Sequence, residues 1–238
     1  DKTTGAIWAE IYDISDPKNP KFLSKIENAE PKVLRGNILL VSGHPPVGKE
    51  AGAEIRAYDI SDPNNPQLLN TFYTPRKLVY NLFAFNDAMD YDPVNKRLYI
   101  ATGRVKIKVF GINTFDPRLG RTSSGIAVFD VSDWSKPIFL GHNYFPDYEN
   151  ANYISNVDWI VYNNGLVFGA DLYYGLRIYD VRDPQNIKYV SGYKAGGEVS
   201  GIAIVPERNL VLLNQNLQGG LIFVDISDPS NPKELNNI

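Results

Sequence analysis

One short phrase recurs five times along this chain and constrains its fold more than any other feature. The phrase is an aromatic or apolar residue, then Asp, then Ile or Val, then Ser or Arg, then a second Asp. Its first Asp lies at positions 13, 59, 130, 180 and 225, so successive copies are separated by 46, 71, 50 and 45 residues. Self-similarity at a nearly fixed period indicates that each repeat is one supersecondary unit.

Each copy of the phrase is preceded by short apolar runs, such as 201–205, 210–213 and 221–224. These runs are rich in β-branched residues and too short for helices, so they predict strands. The alternating run 21–26 after the first copy predicts a more exposed strand. Asp-Pro-x-Asn-Pro is turn chemistry, because Pro presets φ while Asp and Asn side chains bond nearby amides. Each repeat therefore predicts four short strands, A to D, with the phrase closing strand C and opening the C–D turn.

Four short strands cannot bury their faces alone, so neighbouring units must stack around an axis. The sequence therefore predicts an all-β fold, a single β-propeller domain over residues 1–238 built from four-stranded antiparallel blades. Complete blades are expected over about 29–74, 84–146, 154–193 and 198–238, and a half-blade with only strands C and D over 1–28. We expect this arc to be part of a larger ring, with the missing blades in further sequence or in a second chain. An open arc or closure by dimerisation is the alternative.

The phrase Tyr-Asp-Ile-Ser-Asp-Pro-x-Asn-Pro at 58–66 resembles the LVIVD repeat family of β-propellers, which are common in bacterial and archaeal surface or secreted proteins. The similarity extends over essentially the whole chain through the five copies. It implies a propeller fold and an extracellular or cell-surface location. It does not specify an activity, since one fold hosts many functions.

Composition excludes several classes of site and partner. The net charge of −3 leaves no positive field to attract phosphates, so we expect no nucleic-acid partner. No run of about 20 apolar residues is present, so we expect no membrane insertion. With no cysteine and two histidines, thiol nucleophiles, thiolate zinc sites and histidine-rich metal cages are excluded.

The recurring aspartates have two possible roles. As a set they could bind calcium or act in catalysis, but a residue repeated at one position of every unit more often stabilises the local turn. We therefore favour structural capping of the C–D turn by the first Asp of each phrase, and the same role for the second Asp. The first aspartates are Asp13, Asp59, Asp130, Asp180 and Asp225.

Departures from the repeat concentrate in the D–A and B–C connections, which emerge on one face of an up-and-down blade. The long segments are 42–52, 73–87, 103–125 and 145–153, and the alternating stretch 106–110 predicts an added hairpin. Loops of this length in compact domains are more often functional than idle, so we expect a protein or glycan partner on this face. The predicted contact residues are His44, Arg76, Arg104, Arg118, Arg121, Tyr148, Asp171, Tyr174 and Asn216.

A second candidate site lies on strand A, which lines the central channel of a propeller. Counting back from strand B aligns Glu30, Asp90 and Asp158, and converging carboxylates could bind Ca²⁺. The alternatives are a water-filled channel lining or pairing with neighbouring Arg or Lys side chains, and we favour these. No other cofactor is indicated.

Three functions follow from these features. The leading hypothesis is a non-catalytic, extracytoplasmic binding module, because no Ser/His/Asp triad can be assembled from the spacing and no phosphate-binding loop occurs. The second is a calcium-dependent hydrolase or lactonase-like enzyme with its site at the channel. The third is a scaffold subunit of a larger extracytoplasmic complex.

Overall fold

The computed structural model describes residues 7–43, 54–73, 88–102, 108–109, 112–113, 125–143, 157–172, 174–216 and 219–238. Strands dominate these residues, and the helical content among them is one 3-10 turn at Pro206–Arg208. No helix within the described ranges is long and apolar enough to cross a membrane.

The strands form one two-stranded sheet and four four-stranded sheets in chain order, besides one short hairpin. The half-blade contains β1 (Trp8–Asp13) and β2 (Lys21–Glu27). Blade 1 contains β3 (Glu30–Arg35), β4 (Ile38–Gly43), β5 (Glu54–Asp59) and β6 (Gln67–Tyr73). Blade 2 contains β7 (Met89–Asp92), β8 (Arg97–Thr102), β11 (Gly125–Asp130) and β12 (Ile138–His142), with the hairpin β9 (Lys108–Val109) and β10 (Ile112–Asn113) between them in sequence. Blade 3 contains β13 (Val157–Asn163), β14 (Leu166–Asp171), β15 (Gly175–Asp180) and β16 (Lys188–Tyr193), and blade 4 contains β17 (Val199–Val205), β18 (Leu210–Gln215), β19 (Leu221–Asp225) and β20 (Lys233–Asn237).

This architecture confirms the predicted fold class of four complete blades and a leading C–D half-blade. Every blade is an antiparallel meander in the order A, B, C, D. The innermost strands β3, β7, β13 and β17 each contact the next one along the chain, so the blades stack side by side. The described strands form an arc and do not close a ring among themselves.

The core lies between the blades. In blades 1 to 3, strand C is buried on both faces, because alternate side chains point toward the preceding and the following blade. In β15, for example, Leu176 and Ile178 pack against blade 4, whereas Tyr179 packs against blade 2. This two-sided burial explains why strand C reads as a continuous apolar run rather than an alternating one.

A β-bulge interrupts every C–D pair at the same place, one residue before the first Asp of the phrase. The register shifts between residues 11 and 12, 57 and 58, 128 and 129, 178 and 179, and 223 and 224. A bulge increases local twist and bends the strand that carries the extra residue. The same irregularity therefore recurs in all five C–D pairs.

Candidate functional site

The blades have two unlike faces. We call the face with the A–B and C–D turns the turn face, and the opposite one, where strands B and D end and strands C and A begin, the loop face.

The turn face is organised by the recurring aspartates. The first Asp of each phrase accepts a hydrogen bond from the backbone N–H two residues later, at 2.8 Å for Asp59 and Ser61 and at 3.1 Å for Asp180 and Arg182. The second Asp repeats the bond, as in Asp62 with the N–H of Asn64 at 3.0 Å. The same bonds form in all five copies. The prediction of structural capping is confirmed.

These hydrogen bonds favour the ionised carboxylates. The side-chain hydroxyl and the N–H of Ser61 hold the pKa of Asp59 below its ordinary value. Bonds within the turns lower the pKa of seven further aspartates in the same way, namely Asp13, Asp16, Asp130, Asp133, Asp180, Asp225 and Asp228. Carboxylates that already serve their own turns are poor candidates for a shared ligand site.

Six of the predicted contact residues on the loop face lie outside the described residues: His44, Arg76, Arg104, Arg118, Arg121 and Tyr148. Their role remains a prediction. Asn216 lies at the end of strand B in blade 4, where its N–H donates to the carbonyl of Glu198 at 2.9 Å. This bond joins the B–C connection of blade 4 to the start of its strand A.

Asp171 and Tyr174, two predicted contact residues, belong to one buried cluster at the B–C connection of blade 3. The Asp171 side chain is fully buried and lies 3.2 Å from Nε of Arg177, which is itself buried. The guanidinium carbon of Arg177 lies 4.3 Å from the ring centroid of Tyr174 and 5.7 Å from that of Tyr189. Asp171 therefore compensates a buried cation beneath the loops, and its contact with a partner stays a prediction.

Blade 1 carries a related cluster at the equivalent position. Arg56, like Arg177, is the third residue of its strand C, and it donates to the carbonyl oxygens of Glu27, at 3.3 Å, and Asn28. Its Nε lies 3.2 Å from Glu54 as an ion pair, without the alignment of a hydrogen bond. Glu54 also accepts a bond from Tyr73 at 3.1 Å. Arg56 therefore ties the half-blade to the loop-face end of blade 1.

Arg56 and Arg177 are not among the site residues that the sequence predicts. A signal was present, since both are charged residues inside otherwise apolar strand C runs, Glu-Ile-Arg-Ala-Tyr-Asp and Gly-Leu-Arg-Ile-Tyr-Asp. A guanidinium removed from water needs acceptors around it, so an arginine at this position indicates a polar cluster at the base of the loops.

The channel carboxylates do not lie at one level. Glu30 pairs with Ser42, four residues into strand B, whereas Asp90 pairs with Tyr99, two residues into strand B. The alignment of the two is wrong, because the A–B turn contains four residues in blade 2 and two in blade 1. Asp158 lies at a bulge of β13, and its side chain is outside the description.

Both described channel carboxylates are paired with cations. Glu30 lies 2.7 Å from Nζ of Lys32. The Asp90 carboxylate accepts hydrogen bonds from Nε and one terminal nitrogen of Arg35, at 2.9 and 2.7 Å. It also accepts a hydrogen bond from the backbone N–H of Tyr162 at 2.7 Å. Asp90 thereby links strand A of three successive blades. Among the described residues, no group of three His, Cys, Asp or Glu side chains could hold a metal ion, and the calcium site remains a prediction.

His142 ends strand D of blade 2 at the loop face. Burial lowers the pKa of its imidazole from 6.5 to about 4. The side chain is therefore neutral at pH 7 and contributes no positive charge to the loop face.

Comparison with known proteins identifies an LVIVD repeat over residues 217–238. Curated protein sequences give no match. A solved protein from Lactobacillus plantarum is similar at a TM-score of 0.65 and 13% identity, covering 100% of this chain and 64% of that one. A Kuenenia stuttgartiensis hydrazine synthase is similar at 0.64 and 11%, covering 94% and 66%. A Bacteroides uniformis protein provisionally assigned as a 6-phosphogluconolactonase is similar at 0.63 and 10%, covering 98% and 64%.

The chain thus spans less than two thirds of the Lactobacillus protein, and 59% of a functionally unknown Desulfotomaculum acetoxidans protein, which is similar at a TM-score of 0.59 and 11% identity over 91% of this chain. Identities this low establish the propeller fold and nothing about activity.

Proposed function

We propose that this chain is a binding module that holds a protein or glycan partner on its loop face, outside the cytoplasm, without catalysing a reaction. The observation that carries the proposal is the contrast between the two faces. The aspartates of the turn face accept hydrogen bonds within their own turns, whereas the strand ends at the loop face are held by the ion pairs of Arg177 with Asp171 and of Arg56 with Glu54.

The contacts of Arg56 and Arg177 support a binding role, because a loop recognises a partner best when the strand ends that carry it are held in place. Arg56 and Arg177 each rise from the middle of a strand C and bond groups at the loop-face ends of strands. Segments held at both ends lose less conformational entropy on binding a partner. Scaffolds of this kind carry binding residues on loops, where variation does not disturb the core.

The extracytoplasmic location rests on the resemblance to LVIVD-repeat propellers, and the match at 217–238 supports that resemblance. The basic residues Arg104, Arg118 and Arg121 in the segment 103–125 would give the loop face a local positive character against the net charge of −3. An acidic polysaccharide or an acidic protein surface would complement it.

The test is a binding array that carries purified bacterial envelope polysaccharides and envelope proteins. A loop-face variant with Arg104, Arg118 and Arg121 changed to Ala is compared with a turn-face variant with Lys18, Lys136 and Arg182 changed to Ala. Both variants remove three positive charges, so a non-specific electrostatic effect would be the same in each.

We expect the wild type and the turn-face variant to bind the same probes and the loop-face variant to lose at least about tenfold in affinity. Equal losses in both variants, or a larger loss in the turn-face variant, would contradict the assignment of the binding face. A wild-type chain that retains no probe would contradict the binding role itself.

A further inference from the structure

The A–B turn of blade 3 contains the one Asn-Gly pair of the sequence, Asn164 followed by Gly165. The pair connects β13 to β14, whose last paired residues are Asn163 and Leu166. It is therefore a two-residue hairpin turn, in which both residues take a positive φ, 47° at Asn164 and 81° at Gly165. Asn164 is exposed, whereas Gly165 is buried.

An Asn-Gly pair can react with itself. The backbone nitrogen of Gly165, once it has lost its proton to a base such as hydroxide, can attack the side-chain carbonyl carbon Cγ of Asn164. A C–N bond forms, ammonia leaves, and a succinimide ring remains. Water then opens the ring at either carbonyl, which gives aspartate or isoaspartate, whose backbone runs through the side chain. Glycine after asparagine favours the attack, because it has no side chain to obstruct its nitrogen.

Blade 1 has a turn of the same length with the two residue types in the opposite order. Gly36 and Asn37 connect β3 to β4, and the flanking pair is Arg35 with Ile38. The residue after Asn37 is thus a β-branched isoleucine, whose side chain crowds its own backbone nitrogen. The chain therefore carries, at the equivalent turn, an asparagine that should react far more slowly.

The fold holds the reacting nitrogen of Gly165 in a hydrogen bond. Its N–H donates to the hydroxyl of Tyr162, a residue of the preceding strand A. The ring of Tyr162 is stacked on that of Tyr99, with the ring centroids 4.7 Å apart and the planes at 10°. Tyr99 is 1% exposed, so the acceptor of the Gly165 N–H is fixed to the core between blades 2 and 3.

Two further contacts keep this turn closed. The carbonyl of Gly165 accepts the N–H of Val181 at 2.9 Å, which joins the A–B turn to strand C. The side chain of Arg182 lies across Gly165, since a Cβ on that glycine would be 2.4 Å from Cγ of the arginine.

The backbone conformation of Asn164 also opposes the attack. In the left-handed region ψ is positive, so the nitrogen of the next residue lies on the opposite side of the Cα–C bond from Cβ. Cγ of Asn164 therefore reaches the nitrogen of Gly165 only after the turn has opened.

We propose that Asn164 is a site of spontaneous deamidation and isoaspartate formation, and that the reaction proceeds only while the A–B turn of blade 3 is open. Tyr162 acts as a positioning residue, because its hydroxyl holds the N–H whose proton must be lost.

The product would alter the turn face in two ways. It places a carboxylate where the wild type has an uncharged amide, and isoaspartate lengthens the backbone by a methylene group. The longer backbone displaces the carbonyl of Gly165 from the N–H of Val181, a fully buried residue. A backbone group that loses its partner in the interior destabilises the folded state. The modified chain should therefore unfold at a lower temperature than the unmodified chain.

The test follows the full chain during incubation at mildly alkaline pH, well below its melting temperature. Peptide mapping by mass spectrometry measures the loss of the side-chain amide at Asn164 and Asn37, and enzymatic methylation identifies isoaspartate. The wild type is incubated both folded and unfolded in urea. Two folded variants, Tyr162→Phe and Tyr99→Phe, each lose a hydroxyl from the same stacked pair, and only the first loses the acceptor of the Gly165 N–H. Circular dichroism confirms that both variants fold.

We expect deamidation of Asn164 to be at least about tenfold slower in the folded wild type than in urea, because only the open fraction of the turn reacts. Tyr162→Phe should react at least about threefold faster than the folded wild type, since it loses one hydrogen bond that closes the turn. Tyr99→Phe should react at the wild-type rate, and Asn37 should keep its amide in every folded sample.

Three results would overturn the proposal. An Asn164 that keeps its amide even in urea would show that it is not a modification site. Equal rates in the folded and the unfolded chain would show that the turn does not limit the reaction. A Tyr162→Phe variant that reacts no faster than Tyr99→Phe would show that the hydroxyl does not restrain Gly165. The inference does not depend on the proposed binding role, because the A–B turns lie on the turn face.

Discussion

At the turn face, each Asp side chain of a C–D turn accepts a hydrogen bond from the backbone N–H two residues later. At the loop face, arginine side chains of strand C bond groups of other segments. Asp59 and Ser61 illustrate the first arrangement, and Arg56 with the carbonyls of residues 27 and 28 illustrates the second. The first interactions join residues two positions apart, whereas the second join residues 28 and 29 positions apart. Local interactions repeat in every blade because they need only the phrase, while long-range ones differ from blade to blade.

The largest loss of stability is expected when the buried cation at the loop face of blade 3 is removed. Arg177→Met leaves the buried carboxylate of Asp171 without its cation, and we expect a loss of about 3–5 kcal/mol in unfolding free energy. Urea denaturation measures it. The matched control is Arg182→Met, which removes an exposed arginine paired with Asp180 and should have little effect.

A double variant extends this prediction. Asp171→Asn combined with Arg177→Met removes both charges, so it should lose less than the two single substitutions together. If Arg177→Met loses no more unfolding free energy than Arg182→Met, the Asp171–Arg177 cluster does not stabilise the B–C connection of blade 3.

The second prediction concerns pH at the loop-face end of blade 2. The folded pKa of His142 is about 4, below its ordinary 6.5, so its contribution is complete above pH 6.5 and is lost as pH falls to about 4. We expect a loss on the order of 2 kcal/mol over that interval, which His142→Gln should abolish. Thermal unfolding at pH 4, 5, 6 and 7 measures it, and an unchanged slope in the variant would contradict the assignment.

The turn aspartates should give a smaller effect at lower pH. Their folded pKa values lie below the ordinary 3.8, so their contribution is present above pH 3.8 and disappears as pH falls through the folded values. Asp59→Asn should lose less stability at pH 7 than Arg177→Met and should weaken the acid dependence below pH 4. A variant that keeps the full dependence would show that other carboxyls cause it.

The smallest expected effect is that of calcium. The carboxylates of Glu30 and Asp90 already pair with Lys32 and Arg35, so we expect millimolar Ca²⁺ to leave the melting temperature unchanged within about 1 °C. Magnesium at the same ionic strength is the control. A rise of several degrees with Ca²⁺ alone would support the channel site and the hydrolase alternative.

Much of the turn face could be predicted because its interactions lie within the repeat. The phrase around Asp59 contains the acceptor, the donor two residues later and the proline that shapes the turn, so local chemistry and spacing suffice. The alignment of Glu30 with Asp90 failed because turn length changes the register between strands, and residue counting does not detect a shift of two positions.

The clusters at the loop face could not be predicted in the same way. The sequence places Asp171 beside a loop, whereas its position next to Arg177 depends on the pairing of β14 with β15 and on Tyr189 from the next strand. Burial of an ion pair is set by which side chains cover it, and these come from several strands.

The sequence by itself determined the all-β blade architecture, the half-blade and the capped C–D turns, since a repeated phrase dictates the same local hydrogen bonds wherever it occurs. Only the tertiary structure decided which carboxylates are already neutralised and which repeat positions are covered. Tyr12 and Tyr179 occupy the same place in the phrase, yet one is exposed and the other is buried. The physical reason is that burial depends on the neighbouring blade, which the residue's own repeat does not encode.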